Sequence, residues 1–197
     1  MKNYLRNYIY ENIKVISIIL LCVAIGIIIG SLVFNYSNEN IKNQIINISK
    51  NTLDIAKNEN FEGINVLLNG IKTNIPVIIF IYFSAITFIP MFLINITSFI
   101  KGISIGIYAS ILLSLFGVTK GIFFSLLVIF IPNVIYIMAY IFICNNSLIL
   151  HNKFMENGIK IYDVIFEIVR IVIGFSTIFL SVILEQITLG IAVNKFF

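Results

Sequence analysis

The side chains able to do chemistry are few in this sequence, and they are scattered. It has one histidine, His151, and two cysteines, Cys22 and Cys144. Nucleophilic catalysis needs a hydroxyl or thiol within reach of a base that a third group orients. His151 stands in a short polar stretch with no acid at a fixed spacing, so no such set can be assembled. Metal centres built on several histidine or cysteine ligands are excluded by the same count, and neither a CxxC pair nor a disulfide framework is present. No GxxxxGK[ST] or GxGxxG opens a helix after a strand. The expectation is a protein that is not an enzyme, with no catalytic residue, cofactor or metal.

The charges of most interest lie in the last apolar run. Glu167 and Arg170 are three apart and can pair on one helix face, close enough to the end of the run for their side chains to reach the interface. Glu185, in Leu184-Glu185-Gln186-Ile187-Thr188, reads as interfacial at the other end. Ionisable residues inside a membrane mark functional sites by default, but a transport path needs several near mid-depth. On the sequence, none of the three is deep. Asn133 follows Pro132 and is placed to bond a carbonyl that the proline frees. Asn95, Thr97 and Ser98 can bond between helices.

The elements that must position these residues are set by composition. The chain has 197 residues, 59% hydrophobic and 11% charged, with a mean hydropathy of +1.04. A soluble domain is about half apolar and about a quarter charged. Five apolar runs approach the ~20 residues a helix needs to cross a bilayer: residues 13–34, 75–99, 103–118, 122–144 and 164–184, the third being the shortest. The alternation of a transmembrane barrel is absent, which leaves helices to satisfy the backbone in lipid. The expected fold is an all-α integral membrane protein, a five-helix transmembrane bundle forming one domain over residues 1–197. The first run exceeds the ~7–15 apolar residues of a cleaved signal and lacks its small-residue site, so it reads as a retained anchor.

With the N-terminus cytoplasmic, Lys2, Arg6, Lys14, Lys101, Lys153 and Lys160 fall inside, and Lys42, Lys50, Lys57, Lys72, Lys120 and Lys195 fall outside. The first helix usually dominates orientation. Three basic residues precede or enter it, so the N-terminus is expected in the cytoplasm and the C-terminus outside. The net charge of +4 is dispersed, with no dense basic run for nucleic acid or for anionic lipid.

Small residues supply the clearest pattern. Gly102, Gly106, Ser110, Ser114, Gly117 and Gly121 recur at spacings of 4, 4, 4, 3 and 4, one slowly drifting helix face with a tight turn near its end. Gly26 and Gly30 repeat the spacing. In lipid, such faces let backbones approach and pack by dispersion, within one chain or in a homo-oligomer. Residues 35–74 form a polar loop with helical rhythm, in which Ile41, Ile45, Ile48, Thr52 and Ile55 make one stripe. A second set, Phe61, Ile64, Leu67, Leu68 and Ile71, follows. These short amphipathic helices can lie on the bilayer or on the other spans. The first, with a period of about 3.5, can instead dock a partner helix. Pro76 begins the second run; Pro90 and Pro132, inside runs, are expected to kink them.

Three stretches together resemble the stage II sporulation protein M (SpoIIM) family: Ser98-Phe99-Ile100-Lys101-Gly102-Ile103-Ser104-Ile105-Gly106, Phe116-Gly117-Val118-Thr119-Lys120-Gly121, and Ile131-Pro132-Asn133. Leu184-Glu185-x-x-Thr188 is similar to the family's E-x-x-T-P element, with Leu189 in place of the proline; Met138 stands where members often carry a second one. The resemblance implies an integral membrane scaffold of endospore formation, acting in the mother-cell membrane at the sporulation septum during engulfment. It also implies partners, the stage II sporulation proteins D and P, which degrade peptidoglycan and which the scaffold helps to localise. The alternative is a transporter or channel subunit, in which helices broken at Pro90 and Pro132 would line a path with Asn133, Glu167 and Arg170. Convergence of those residues on a cavity near mid-depth would favour it.

Overall fold

The computed structural model describes residues 2–58, 63–157 and 161–196. Their elements are α1 (Lys2–Tyr36), α2 (Glu39–Asn58), α3 (Gly63–Ser84), α4 (Pro90–Ser125), a π-helical segment (Leu126–Phe130), α5 (Ile131–Asn157) and α6 (Ile161–Phe196). No strand occurs among the described residues. Among the described residues, three helical stretches are long and apolar enough to cross a membrane: Asn12–Tyr36, Pro90–Met155 and Ile165–Ala192; Lys72–Ser84 is apolar but shorter. Large apolar side chains such as Leu21, Ile28, Phe92 and Val172 are exposed, and helices apolar all round belong in lipid. The chain is a helical membrane protein, as its composition requires.

The Pro90–Met155 stretch has 66 residues and would measure about 100 Å as a single rod. It is folded back at Gly117, whose φ of 74° and ψ of 172° lie in a region open essentially to glycine alone. A Cβ built at Gly121 would lie 2.8 Å from the Leu113 Cα, whereas eight residues of unbroken helix separate two positions by about 12 Å. Phe116 stacks on Phe124 across the reversal, ring centroids 4.5 Å apart.

The helix ends differ from the expected runs in ways that matter for function. The run 75–99 is not one helix. α3 stops at Ser84, where Ala85, Ile86 and Thr87 donate their N–H groups three residues back, to Tyr82, Phe83 and Ser84, tightening the last turn. Ile89 is held out of the helical region, at φ −132° and ψ 51°, as a residue before proline tends to be. Pro90 therefore starts α4, where its missing N–H is harmless; it kinks nothing. The buried end of α3 is satisfied from α5. Ser147 Oγ donates to the Ile81 carbonyl at 2.7 Å, and His151 Nδ1 lies 2.9 Å from the Ala85 carbonyl.

Three further boundaries move. The run 103–118 is the later part of a helix that begins at Pro90. The run 122–144 continues as α5 to Asn157, so His151 is helical and not in a loop, and Asn145, Asn146 and Ser147 are buried. Pro76 lies inside α3, not at its start. Pro132 follows the π-helical segment, a widened turn suited to the ring, and Asn133 Nδ2 donates to the Ile129 carbonyl at 2.9 Å.

Two apolar clusters share α4 and α6. One joins Ile19 of α1, Ile81 of α3, Ile94, Tyr140 and Ile178. The other joins Leu53 of α2 to Leu112, Phe124, Val128 and Ala192.

Candidate functional site

The depth of the site is set by the seam between α1 and α4. A Cβ on Gly102 would run into the Val23 carbonyl, and one on Gly106 into the Ile27 carbonyl. In return, a Cβ on Gly26 would meet the Phe99 carbonyl and one on Gly30 the Ile103 carbonyl. The two glycine pairs thus interlock, backbone on backbone, and Ser110 Oγ continues the seam by donating to Ser31 Oγ at 3.1 Å. The face ends there. Ser114 turns its hydroxyl back to the Ser110 carbonyl, at 3.0 Å, Gly117 makes the reversal, and Gly121 packs on Leu112 and Leu113.

Gly102 touches Val23 and Gly26, which straddle the middle of the apolar run 13–34. Its neighbour Lys101 therefore lies in the interior of α4, opposite the middle of that apolar run, and not in a connection between runs. This overturns the placing of Lys101 between two apolar runs. Thr97, Lys101 and Ser104, spaced 4 and 3, share one helix face and open on a cavity of about 710 Å³ between α3, α4, α5 and α6. Its polar lining is completed by Thr73, Asn74, Glu185 and Gln186, and its apolar lining includes Val77, Phe80, Ile100 and Val182. Glu185, expected at the interface, faces the same space as Lys101.

The Lys101 ammonium sits 3.9 Å from the centroid of the Tyr136 ring, and Tyr136 is itself buried. Such a cation–π contact is worth about 2 kcal/mol when desolvated. Among the described residues, no carboxylate pairs with Lys101 and no acceptor lies within hydrogen-bonding distance of its Nζ. Gln186 Oε1 is buried without a partner. Behind the wall, the Tyr140 hydroxyl meets Thr97 Oγ1 at 2.5 Å and Ser98 Oγ at 3.1 Å. These bonds fix the Thr97 side of the cavity.

The residues singled out for a transport path do not converge. Arg170 Nη1 donates to Glu167 Oε1 at 2.6 Å, a pair on α6 that stands apart from this cavity. Asn133 lines a different cavity, of about 350 Å³ and almost wholly apolar, and Pro132 is fully buried beside it. None of that group reaches the charged cavity, which Glu185 lines instead. Hydropathy alone does not reveal Lys101, because it puts a helix start after Gly102: counted from Pro90 as first residue, Lys101 is the twelfth residue of α4, well inside a span.

On α2 the isoleucine stripe is divided. Ile41 and Ile48 are exposed, while Leu53, outside the stripe, is buried against α4 and α6. Ile45 is half-buried, and the Ile55 side chain lies outside the described residues. Among the described residues, no three histidine, cysteine, aspartate or glutamate side chains are grouped so as to hold a metal ion.

A folded-back, multi-helix membrane body, with Lys101 and Glu185 lining one cavity between its helices, defines the class. Residues 18–193 match the family model described as Stage II sporulation protein M, and the chain belongs to that family, a group of sporulation-related membrane proteins. No curated protein and no solved structure matches the chain. Lys101 and Glu185, each in a stretch that carried the resemblance, are brought by the fold to one cavity.

Proposed function

We propose that the protein is a non-enzymatic membrane scaffold of endospore formation. It holds peptidoglycan-degrading partners, the stage II sporulation proteins D and P, at the septum during engulfment. In this reading the chain crosses the mother-cell membrane five times with its N-terminus in the cytoplasm. The passes are α1, α3 with its link, the two arms that meet at Gly117, and α6. The observation that carries the reading, beside family membership, is the backbone-to-backbone seam of α1 and α4, which makes a stiff platform. The polar side chains are largely used in construction: Ser147 and His151 end α3, and Tyr140 ties α5 to α4. Ile41 and Ile48 on α2 supply the face for a partner helix, and a second copy of the chain is a further candidate for a small-residue face.

Co-purification from sporulating cells tests the proposal. Ile41→Glu with Ile48→Glu should abolish recovery of the partners while leaving the amount of membrane-inserted protein unchanged. Undiminished recovery would overturn the assignment of the docking face. Recovery of neither partner with the unaltered chain would overturn the scaffold reading. The second reading, a transporter or channel subunit, is favoured by one observation, the deep Lys101 cavity. It requires solute flux in vesicles that Lys101→Met removes.

A further inference from the structure

We propose that the cavity between α3, α4, α5 and α6 binds a zwitterion, a ligand carrying an oxyanion and a primary ammonium group. The inference stands apart from the scaffold reading and needs no partner protein.

Charge balance decides the class of ligand. A cation near mid-membrane is costly unless something compensates it, and the Tyr136 ring face supplies a fraction of that compensation. The N–H donors of Lys101 have no protein acceptor among the described residues. On the opposite wall, α6 presents acceptors: the Glu185 carboxylate and the buried, unpartnered Gln186 Oε1. A simple anion would satisfy Lys101 and be repelled by Glu185, and a simple cation would meet the reverse. A neutral molecule would leave the two side chains with only each other across the cavity, and the ammonium N–H groups without a hydrogen-bond acceptor. A zwitterion places its oxyanion on Lys101 and its ammonium on Glu185 and Gln186, giving charge-assisted hydrogen bonds at both ends. Quaternary ammonium has no N–H to give Gln186, which selects a primary amine.

Size and surroundings add to this. A cavity of about 710 Å³ falls within the ~300–1,000 Å³ typical of small-molecule sites, more than a bare headgroup or amino acid fills. The remaining wall is apolar, and Phe80 and Ile100 in it are exposed on the outer surface of the bundle. The site thus suits a zwitterion attached to an apolar body, as in the headgroup of phosphatidylethanolamine. A free amino-acid-like zwitterion shares the recognition chemistry.

The full chain, purified in a neutral maltoside and reconstituted in nanodiscs, provides the test. Native mass spectrometry would measure retention of phosphatidylethanolamine, phosphatidylglycerol and phosphatidylcholine, and thermal unfolding would be followed with phosphoethanolamine and with glycine. The expected result is at least tenfold preference for phosphatidylethanolamine over the other two lipids, lost in Lys101→Met and in Glu185→Gln. Ser104→Leu fills the cavity at an exposed position without altering either charge, and should weaken retention tenfold while the protein stays folded. Stabilisation by millimolar phosphoethanolamine or glycine, abolished by the same variants, would assign the site to a soluble zwitterion. Equal retention of phosphatidylglycerol, or of phosphatidylcholine, would overturn the zwitterion or the primary-amine argument respectively. Binding of none of these probes would overturn the proposal as a whole and leave Lys101 and Glu185 as each other's counter-charge.

Discussion

Replacing Gly106 by alanine tests the α1–α4 seam with a single added carbon. The new Cβ would run into the Ile27 carbonyl oxygen and lie 2.9 Å from the Ile27 carbonyl carbon. Carbon atoms rest at about 3.5–4.0 Å, so the two helices must part by roughly 1 Å. A gap of that size forfeits a quarter to a half of each contact's ~0.1–0.2 kcal/mol, and the seam is made of many such contacts. The clash concerns backbone on both sides, which cannot turn aside as a side chain can. Overpacking of this kind costs about 1–3 kcal/mol. Alanine also favours a helix over glycine by roughly 1 kcal/mol, which blurs a single measurement. Gly190 removes the ambiguity: it is helical too, and a Cβ there meets nothing within 4 Å. The difference between Gly106→Ala and Gly190→Ala therefore isolates the clash, about 1–3 kcal/mol. Equilibrium unfolding by titrating a denaturing detergent into neutral micelles would read it, and Gly106→Leu should fail to assemble at all. If the two alanine variants unfold within about 0.5 kcal/mol of each other, the range of an ordinary surface change, the seam is not close-packed and the argument fails.

Three other substitutions probe separate parts of the fold. Gly117→Ala has open space but forces a side chain into a glycine-only backbone region, so it should cost about 1–3 kcal/mol in the same titration; no loss would place the reversal elsewhere. His151→Ala strips the Ala85 carbonyl of its donor and should destabilise by about 1–3 kcal/mol, with His151→Gln recovering part of it; an alanine variant as stable as the parent would refute the cap. Arg170→Ala leaves Glu167, with a side chain 5% exposed, without its partner. Because the arginine is 34% exposed, the loss should fall below the ~3–5 kcal/mol of a fully buried pair. Glu167→Gln in the same background should restore most of it, and absence of that rescue would remove the charge argument.

The glycine pairs were legible before any coordinates because small residues at a spacing of four have one economical use in lipid, and Gly26–Gly30 does meet Gly102–Gly106. The reversal was legible within a few residues, being expected near Gly121 and found at Gly117. Asn133 does bond back into its own helix, but to the Ile129 carbonyl and not to that of Val128, which the missing N–H of Pro132 leaves open. What misled was the stretch 75–118, almost continuously apolar. Hydropathy averages over a window, and it cannot see where a hydrogen-bonded helix stops inside such a stretch. Hydropathy therefore puts the cut at the polar Lys101-Gly102, where the chain is helical, and makes Lys101 a loop charge. Likewise α5 was ended at Cys144 because polar residues follow, although Asn145, Asn146 and Ser147 are turned inward.

The sequence by itself determined that the chain is helical and membrane-embedded, that α1 and α6 are long apolar helices, and that one helix face is built for backbone contact. Those follow from composition and from local periodicity, which act over a few residues. The tertiary structure decided where α3 ends and α4 begins, because the carbonyls released at that break are satisfied by Ser147 and His151, each 66 residues further along the chain. It also decided that Lys101 and Glu185 share a cavity, since that depends on how α4 and α6 pack. A charge deep in a membrane is tolerable or not according to what faces it, and that is settled between helices, not within one.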